Sequence, residues 1–327
     1  MKSLPQRIIG LAAVVMLASG CGTLQTGAPN RIVIGVQAAK PEETRTAWLP
    51  LAADMGKKLG IETDVYAASQ TDTVDALKSG KADVVWLSSS AAIDAVTDAN
   101  AEAFALYYNV NGTNGYKGVV ITRADSGIKT LDEALTPGKY IYASGAKTST
   151  SGYVLPQYFL FNKRNTSPEQ LFKSVIYGGH FPNLDALWAK KVDVAVNNTT
   201  DLAAFQARTP EAKNGIVVLW ESPLVPNDVL MVRKDAPEAT KRLLRDFFLS
   251  YGKNSEAEKE YLKKASGIAY FVPTSIKLLE PVSEFKFATE RSGIEQNAKL
   301  SAEEKTAQMK ALDARVAIFK KALAETR

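Results

Sequence analysis

The chain has 327 residues, 46% hydrophobic and 9% aromatic, with 40 Lys+Arg against 35 Asp+Glu and one cysteine. That apolar content excludes wholesale disorder, and a lone cysteine excludes an internal disulfide scaffold. The net charge of +5 is small and spread along the chain, which argues against a nucleic-acid partner, and the length suits about two domains.

The first twenty residues read as an address. Lys2 and Arg7 precede an uncharged run from Ile8 to Gly20, too short for the ~20 residues of a membrane-spanning helix but suited to a secretory signal peptide. The exit Leu17-Ala18-Ser19-Gly20-Cys21 resembles the bacterial lipobox, which implies cleavage before a lipid-modified Cys21. The alternative for Cys21 is a buried structural cysteine. Residues 21–30 are then a tether. The expected location is outside the cytoplasm, lipid-anchored at the outer face of the cytoplasmic membrane or in the periplasm.

The remainder alternates β-branched runs with amphipathic stretches, the pattern of α/β layering. Ile32–Val36 reads as a strand, and Pro41–Leu59 as a helix with Trp48, Leu51, Ala52, Met55 and Leu59 at helical spacing and Gly60 as its stop. A strand near Ile61–Ala67 and a helix opening at Thr71-Asp72 follow. Further strands fit Val84–Leu87, Phe104–Val110, Lys117–Thr122, Tyr140–Ala143, Val175–Tyr177, Val192–Val196, Ile216–Trp220 and Val229–Val232. After Pro237 the pattern is helical to the C-terminus. There Met309, Leu312, Val316, Phe319 and Leu323 share one face, which fits packing on the chain's own domain better than a partner.

One repeat organises these elements. Ala76–Ser90 aligns without gaps on Ala186–Thr200, each segment ending a helix, turning through Lys-x-Asp, and running up a buried strand into small polar residues. Two such units imply two sheets with polar tips at the strand ends, where open α/β sheets bind ligands.

Thr148-Ser149-Thr150-Ser151-Gly152 follows the Tyr140–Ala143 strand and opens an apolar helix. A helix start offers free N–H groups and partial positive charge, and successive hydroxyls add donors. The motif suits a tetrahedral oxyanion; helix capping is the plainer alternative, although one residue suffices for a cap. Nothing forms a G-x-S-x-G elbow, and a single histidine does not make a metal site. No metal and no cofactor is expected.

The residues Ser149-Thr150-Ser151-Gly152, Gly179-His180, Val192–Ala195 with Asn197-Asn198-Thr199, Ser222-Pro223-Leu224 with Pro226 and Asp228, and Asp246-Phe247-Phe248 resemble the phosphonate-binding proteins of bacterial ABC uptake systems. The resemblance implies an α/β class II periplasmic-binding-protein fold, two lobes around a ligand cleft, and a substrate-binding lipoprotein that hands its ligand to an ABC permease. It also implies that Ser149, Thr150, Ser151 and His180 hold phosphonate oxygens, with Tyr116 and Asp228 around the rest of the ligand and Asp228 facing an amine. Following the family, residues 31–122 and 223–327 are expected as one discontinuous lobe and 123–222 as the other. A monomer is expected.

Two departures bear on specificity. The family's aminophosphonate binders carry a second acid where this chain has Thr200, beside Asp201, and a tyrosine where it has Thr71. That weakens the case for 2-aminoethylphosphonate and favours a smaller or uncharged ligand, unless a one-residue shift brings Asp201 inward. The expected site is therefore Ser149, Thr150, Ser151, His180, Asp228, Tyr116, Thr71, Asn198 and Thr200. Alternatives are a phosphite or phosphate binder of the same fold, an exported hydrolase using Ser149 or Ser151 with His180, and a sensory lipoprotein using the same cleft.

Overall fold

The computed structural model describes residues 29–326. The expected signal peptide, Cys21 and most of the tether lie outside the described residues. Short runs rich in Val, Ile and aromatic residues form β1 (Arg31–Gln37), β2 (Glu62–Ala68), β3 (Val84–Leu87), β4 (Ala101–Asn109), β5 (Gly115–Tyr116), β6 (Gly118–Arg123), β7 (Ile141–Gly145), β8 (Ser174–Gly178), β9 (Val194–Asn198), β10 (Ile216–Glu221), β11 (Val225–Pro226), β12 (Val229–Arg233) and β13 (Ile268–Pro273). A six-stranded sheet runs β13-β4-β12-β3-β1-β2, and a five-stranded sheet runs β10-β6-β9-β7-β8.

Helices bury apolar faces on both sides of the six-stranded sheet. The helix Pro41–Leu59 begins with Pro41, ends on left-handed Gly60, and buries Trp48, Leu51, Ala52 and Met55 against Ile32, Ile34 and Val36 of β1. On the other face the helices Gln70–Ser79 and Ser89–Ala99 cover Val85 and Leu87, and Phe319 and Ala322 of the helix Ala302–Glu325 join that cluster. The C-terminal helix thus packs on its own chain through the face read from sequence.

Two positions depart from the sequence reading. The strand Gly118–Arg123, placed from sequence with the first lobe, pairs with β9 and β10 in the five-stranded sheet. All six of its residues are buried, so its apolar pattern fits either sheet. The C-terminal region also holds a strand, β13, paired antiparallel to β4, where helix alone was expected. Gly267, left-handed before it, breaks the preceding helix and lets the chain turn into the sheet edge.

The two sheets are joined by the β5–β11 ribbon, in which Tyr116 lies opposite Val225 and Gly115 opposite Pro226. A Cβ on Gly115 would lie 2.6 Å from the Val225 carbonyl oxygen, so only glycine lets these segments approach.

The sequence repeat has a structural counterpart. Asp83 Oδ2 accepts from the Val33 N–H of β1 at 2.8 Å, and Asp193 Oδ2 accepts from the Ile141 N–H of β7 at 2.9 Å. The aligned pair Gly80 and Lys190 are both left-handed, with φ of 75° and 60°. Ser88 and Asn198, also aligned, precede the helices Ser89–Ala99 and Thr199–Arg208. Each sheet therefore uses one carboxylate to lock neighbouring strands just before a strand that delivers a helix start to the cleft.

Candidate functional site: a donor-lined cleft with two acids

The first wall of the cleft is the edge where β1, β2 and β3 end and β12 begins, because β1 is parallel to β2 and β3 while β12 is antiparallel to β3. A chain of hydrogen bonds runs along it. Gln70 Nε2 donates to Ser88 Oγ at 3.1 Å, the Ser88 N–H donates to Gln37 Oε1 at 3.0 Å, and Gln37 Nε2 donates to Asp228 Oδ2 at 2.9 Å. The polar residues Gln37 and Gln70 were not singled out from sequence. Their roles depend on strand register, which puts the last residue of β1 beside the end of β3.

The opposite wall is the hydroxyl run. Gly145 ends β7 and packs directly on Gly152, where a Cβ on Gly145 would lie 2.6 Å from the Gly152 Cα. That contact seats the helical segment at the strand end. The segment is built of π-type turns over Thr150–Val154 and Gln157–Phe161, wider than the regular helix expected. Ser149 caps it, its Oγ accepting from the Gly152 N–H at 3.1 Å. Capping is therefore one role of the run, yet the next two hydroxyls turn elsewhere. Thr150 Oγ1 accepts from the Ser90 N–H of the other wall at 2.9 Å, and a 3.1 Å hydrogen bond joins Ser151 Oγ to His180 Nε2. Tyr116, in the ribbon, is buried with its hydroxyl against Thr150 and Ser151, and burial followed by the Asp228 charge pushes that phenol far up. It stays a neutral hydroxyl.

His180 starts its helix, with its carbonyl accepting from Asn197 Nδ2 at 2.8 Å. Burial lowers its imidazole's pKa and Asp201 opposes that shift, so the ring is neutral near pH 7. Its Nδ1 is buried without a partner, so Ser151 and His180 lack the third group that orients the base of a hydrolytic triad.

Two acids stand at one end of the cleft. Burial pushes the Asp228 carboxyl up to about 7, the Asp201 charge adds to this, and the Gln37 hydrogen bond opposes it. The field of Asp201 also reaches His180, Tyr107 and Tyr116. Asn198 holds Asp201 in place: its Oδ1 accepts from the Asp201 N–H at 2.8 Å and its Nδ2 donates to Asp201 Oδ2 at 2.9 Å. Asn198 thus caps its helix and fixes Asp201 rather than standing free. Thr200 stands half-buried in the same first turn, while Thr71 is exposed in the first turn of Gln70–Ser79.

Neutral donors thus converge from two facing helix starts, which suits an oxyanion, and the carboxylates at one end suit a cation. Among the described residues, no group of three or more His, Cys, Asp or Glu is placed to hold a metal ion.

Residues 34–279 match the family described as the phosphonate periplasmic substrate-binding protein of ABC transporters. This chain belongs to that family. The chain is 34% identical over 277 residues to the phosphonates-binding periplasmic protein of Escherichia coli K12, covering 84% of this chain and 81% of that one. Its fold is similar to a binding-protein component of an ABC phosphonate transporter from Pseudomonas aeruginosa, with a TM-score of 0.77, 31% identity, and coverage of 90% of this chain and 98% of the other. A protein from Prochlorococcus marinus solved with methylphosphonate shares the fold at a TM-score of 0.68 and 15% identity, over 78% of this chain and 97% of the other. The chain is a phosphonate-binding component of an ABC transporter, with the two-lobed α/β fold of periplasmic binding proteins, located outside the cytoplasm. Its relatives bind substrate rather than transform it, and the hydrolase alternative is set aside.

Proposed function

We propose that this protein captures an aminoalkylphosphonate such as 2-aminoethylphosphonate between its lobes and presents the closed form to an ABC permease. The lipid on Cys21 keeps it beside that permease. One lobe comprises residues 29–116 with 225–326 and the other 117–222, closing about the β5–β11 ribbon. The phosphonate oxygens take hydrogen bonds from Ser149, Thr150, Ser151, Tyr116 and His180. The ammonium pairs with Asp228 and Asp201, Asn198 fixing Asp201 and Thr200 adding a hydroxyl beside it.

The observation that carries this reading is the placement of Asp201. Its charge adds to the raised Asp228 carboxyl and Asn198 fixes it, which supports an acid supplied one residue after Thr200. Two carboxylates in a desolvated cleft repel each other, and an ammonium between them relieves that repulsion. A ligand gains closure free energy only from contacts the closed state adds, and both walls contribute such contacts here. The amine therefore acts as part of the closing device.

Asp201→Asn tests this. Calorimetry should show 2-aminoethylphosphonate binding weakened by tenfold or more, with methylphosphonate changed less than threefold. Equal effects on both ligands would remove Asp201 from amine recognition and return the small amine-free ligands, including phosphite, to first place.

A further inference from the structure

A cavity of about 550 Å³ opens beside the cleft, bounded by the helix Gln70–Ser79, the loop before Thr150 and the helix Glu280–Gln296. This volume is within the range of small-molecule sites. Gln70, Thr71 and Thr148 lie where it meets the cleft, and Val74, Val154 and Ile294 give it apolar walls. Gln70 belongs to both spaces: its Nε2 holds Ser88, while its Oε1 is buried without a partner.

Strand order sets the direction. Along the shared edge β2 is outermost, followed by β1, β3 and β12. Thr71, just after β2, and Asp228, just before β12, therefore stand at opposite ends with Ser88–Ser90 between them. A phosphorus atom held against the Ser149–Ser151 run has Asp228 toward one end and this cavity, lined by Thr148 and Val154, toward the other. Most of the charges lining the cavity pair among themselves: Lys286 with Asp94 at 3.0 Å and with Glu290 at 2.8 Å, and Arg315 with Glu290 at 2.7 Å and with Asp98 at 3.4 Å. Asp75 and Lys147 also line it and are exposed, while the Val74, Val154 and Ile294 wall suits an alkyl group.

We propose that the cleft also accepts phosphonate monoesters, with the carbon substituent toward Asp228 and the O-alkyl group in this lateral cavity. The proposal rests on the phosphonate reading above. Esterification leaves two unsubstituted oxygens sharing a single negative charge. That matches a clamp made of hydroxyls and a neutral imidazole.

The test uses 2-aminoethylphosphonate and its mono-n-butyl ester, titrated calorimetrically into the mature protein and its Gly293→Leu variant. Gly293 lines the cavity, and a Cβ there meets no atom within 4 Å, so a side chain has open space to enter. Leucine also favours the helix over glycine, and a melting midpoint no lower than the parent's checks folding; Gly293→Ala is the smaller companion. The ester should bind the parent within tenfold of the free acid. Gly293→Leu should weaken the ester at least tenfold and the free acid less than twofold. Ester binding more than 100-fold weaker than the free acid would overturn the proposal and leave the phosphonate reading standing. Ester binding insensitive to Gly293→Leu would overturn the placement. Binding of neither compound would sink the phosphonate reading itself.

Discussion

Replacing Asp228 by Asn should stabilise the ligand-free protein at pH 8 while abolishing recognition of the amine. Asp228 has its carboxyl raised to about 7 by burial, with Asp201 adding to the shift. An ordinary aspartate titrates near 4, and each pH unit between folded and unfolded values is worth 1.36 kcal/mol, so the ceiling is about 4 kcal/mol. Asp228 keeps some solvent contact, and screening brings the expected gain to about 2 kcal/mol. The sign follows from the raised value. The wild type has the full stability of the neutral acid below about pH 4 and loses it as pH rises to about 7. Asn carries no charge and loses nothing in that window. Urea unfolding at pH 4.5 and pH 8 should therefore show near-equal stability at the lower pH and a more stable variant at the higher one. Calorimetry on the same variant should show 2-aminoethylphosphonate weakened by 100-fold or more. A variant no more stable than wild type at pH 8 would refute the reasoning, because the carboxylate would then be well solvated or already paired.

The same carboxyl predicts a pH dependence of binding. Below about 7 the amine must displace a proton from Asp228, so affinity for 2-aminoethylphosphonate should fall toward tenfold per pH unit. Methylphosphonate, titrated in parallel, should lack that component, and identical profiles would contradict it. Gly115→Val puts a Cβ 2.6 Å from the Val225 carbonyl oxygen, and thermal unfolding should show a loss of roughly 1–3 kcal/mol from forced separation of the ribbon. Lys286→Ala removes one of two cations beside buried Asp94 and should cost about 3–5 kcal/mol in urea unfolding. A loss under 1 kcal/mol there would mean Arg315 alone satisfies Asp94.

The fold class was legible because β-branched runs and helical apolar spacing report burial directly. The repeat was legible because one aspartate locks strands in the same way in each sheet. The hydroxyl run was legible as more than a cap, since Thr150 and Ser151 bond to Ser90 and His180 rather than to their own helix start. What stayed hidden depends on register and pairing. Gly118–Arg123 is buried along its whole length, so nothing in it says which sheet it joins. The strand Ile268–Pro273 was masked by the helices around it, although Gly267 before Ile268 marks the break. Thr200 and Asp201 are neighbours on one helical turn, and residue type alone does not reveal that Asn198 holds the Asp201 carboxylate. The sequence says nothing of how deeply His180 is buried, and that burial lowers its pKa.

The most direct measurement is calorimetric titration of the mature protein with 2-aminoethylphosphonate, methylphosphonate, phosphite and phosphate. Capture by the donor wall and both acids predicts that 2-aminoethylphosphonate binds tightest, with a micromolar or lower dissociation constant, about 8 kcal/mol or more. Tighter binding of phosphate or phosphite would contradict the role given to Asp228 and Asp201, and binding of none of the four would contradict the oxyanion cleft.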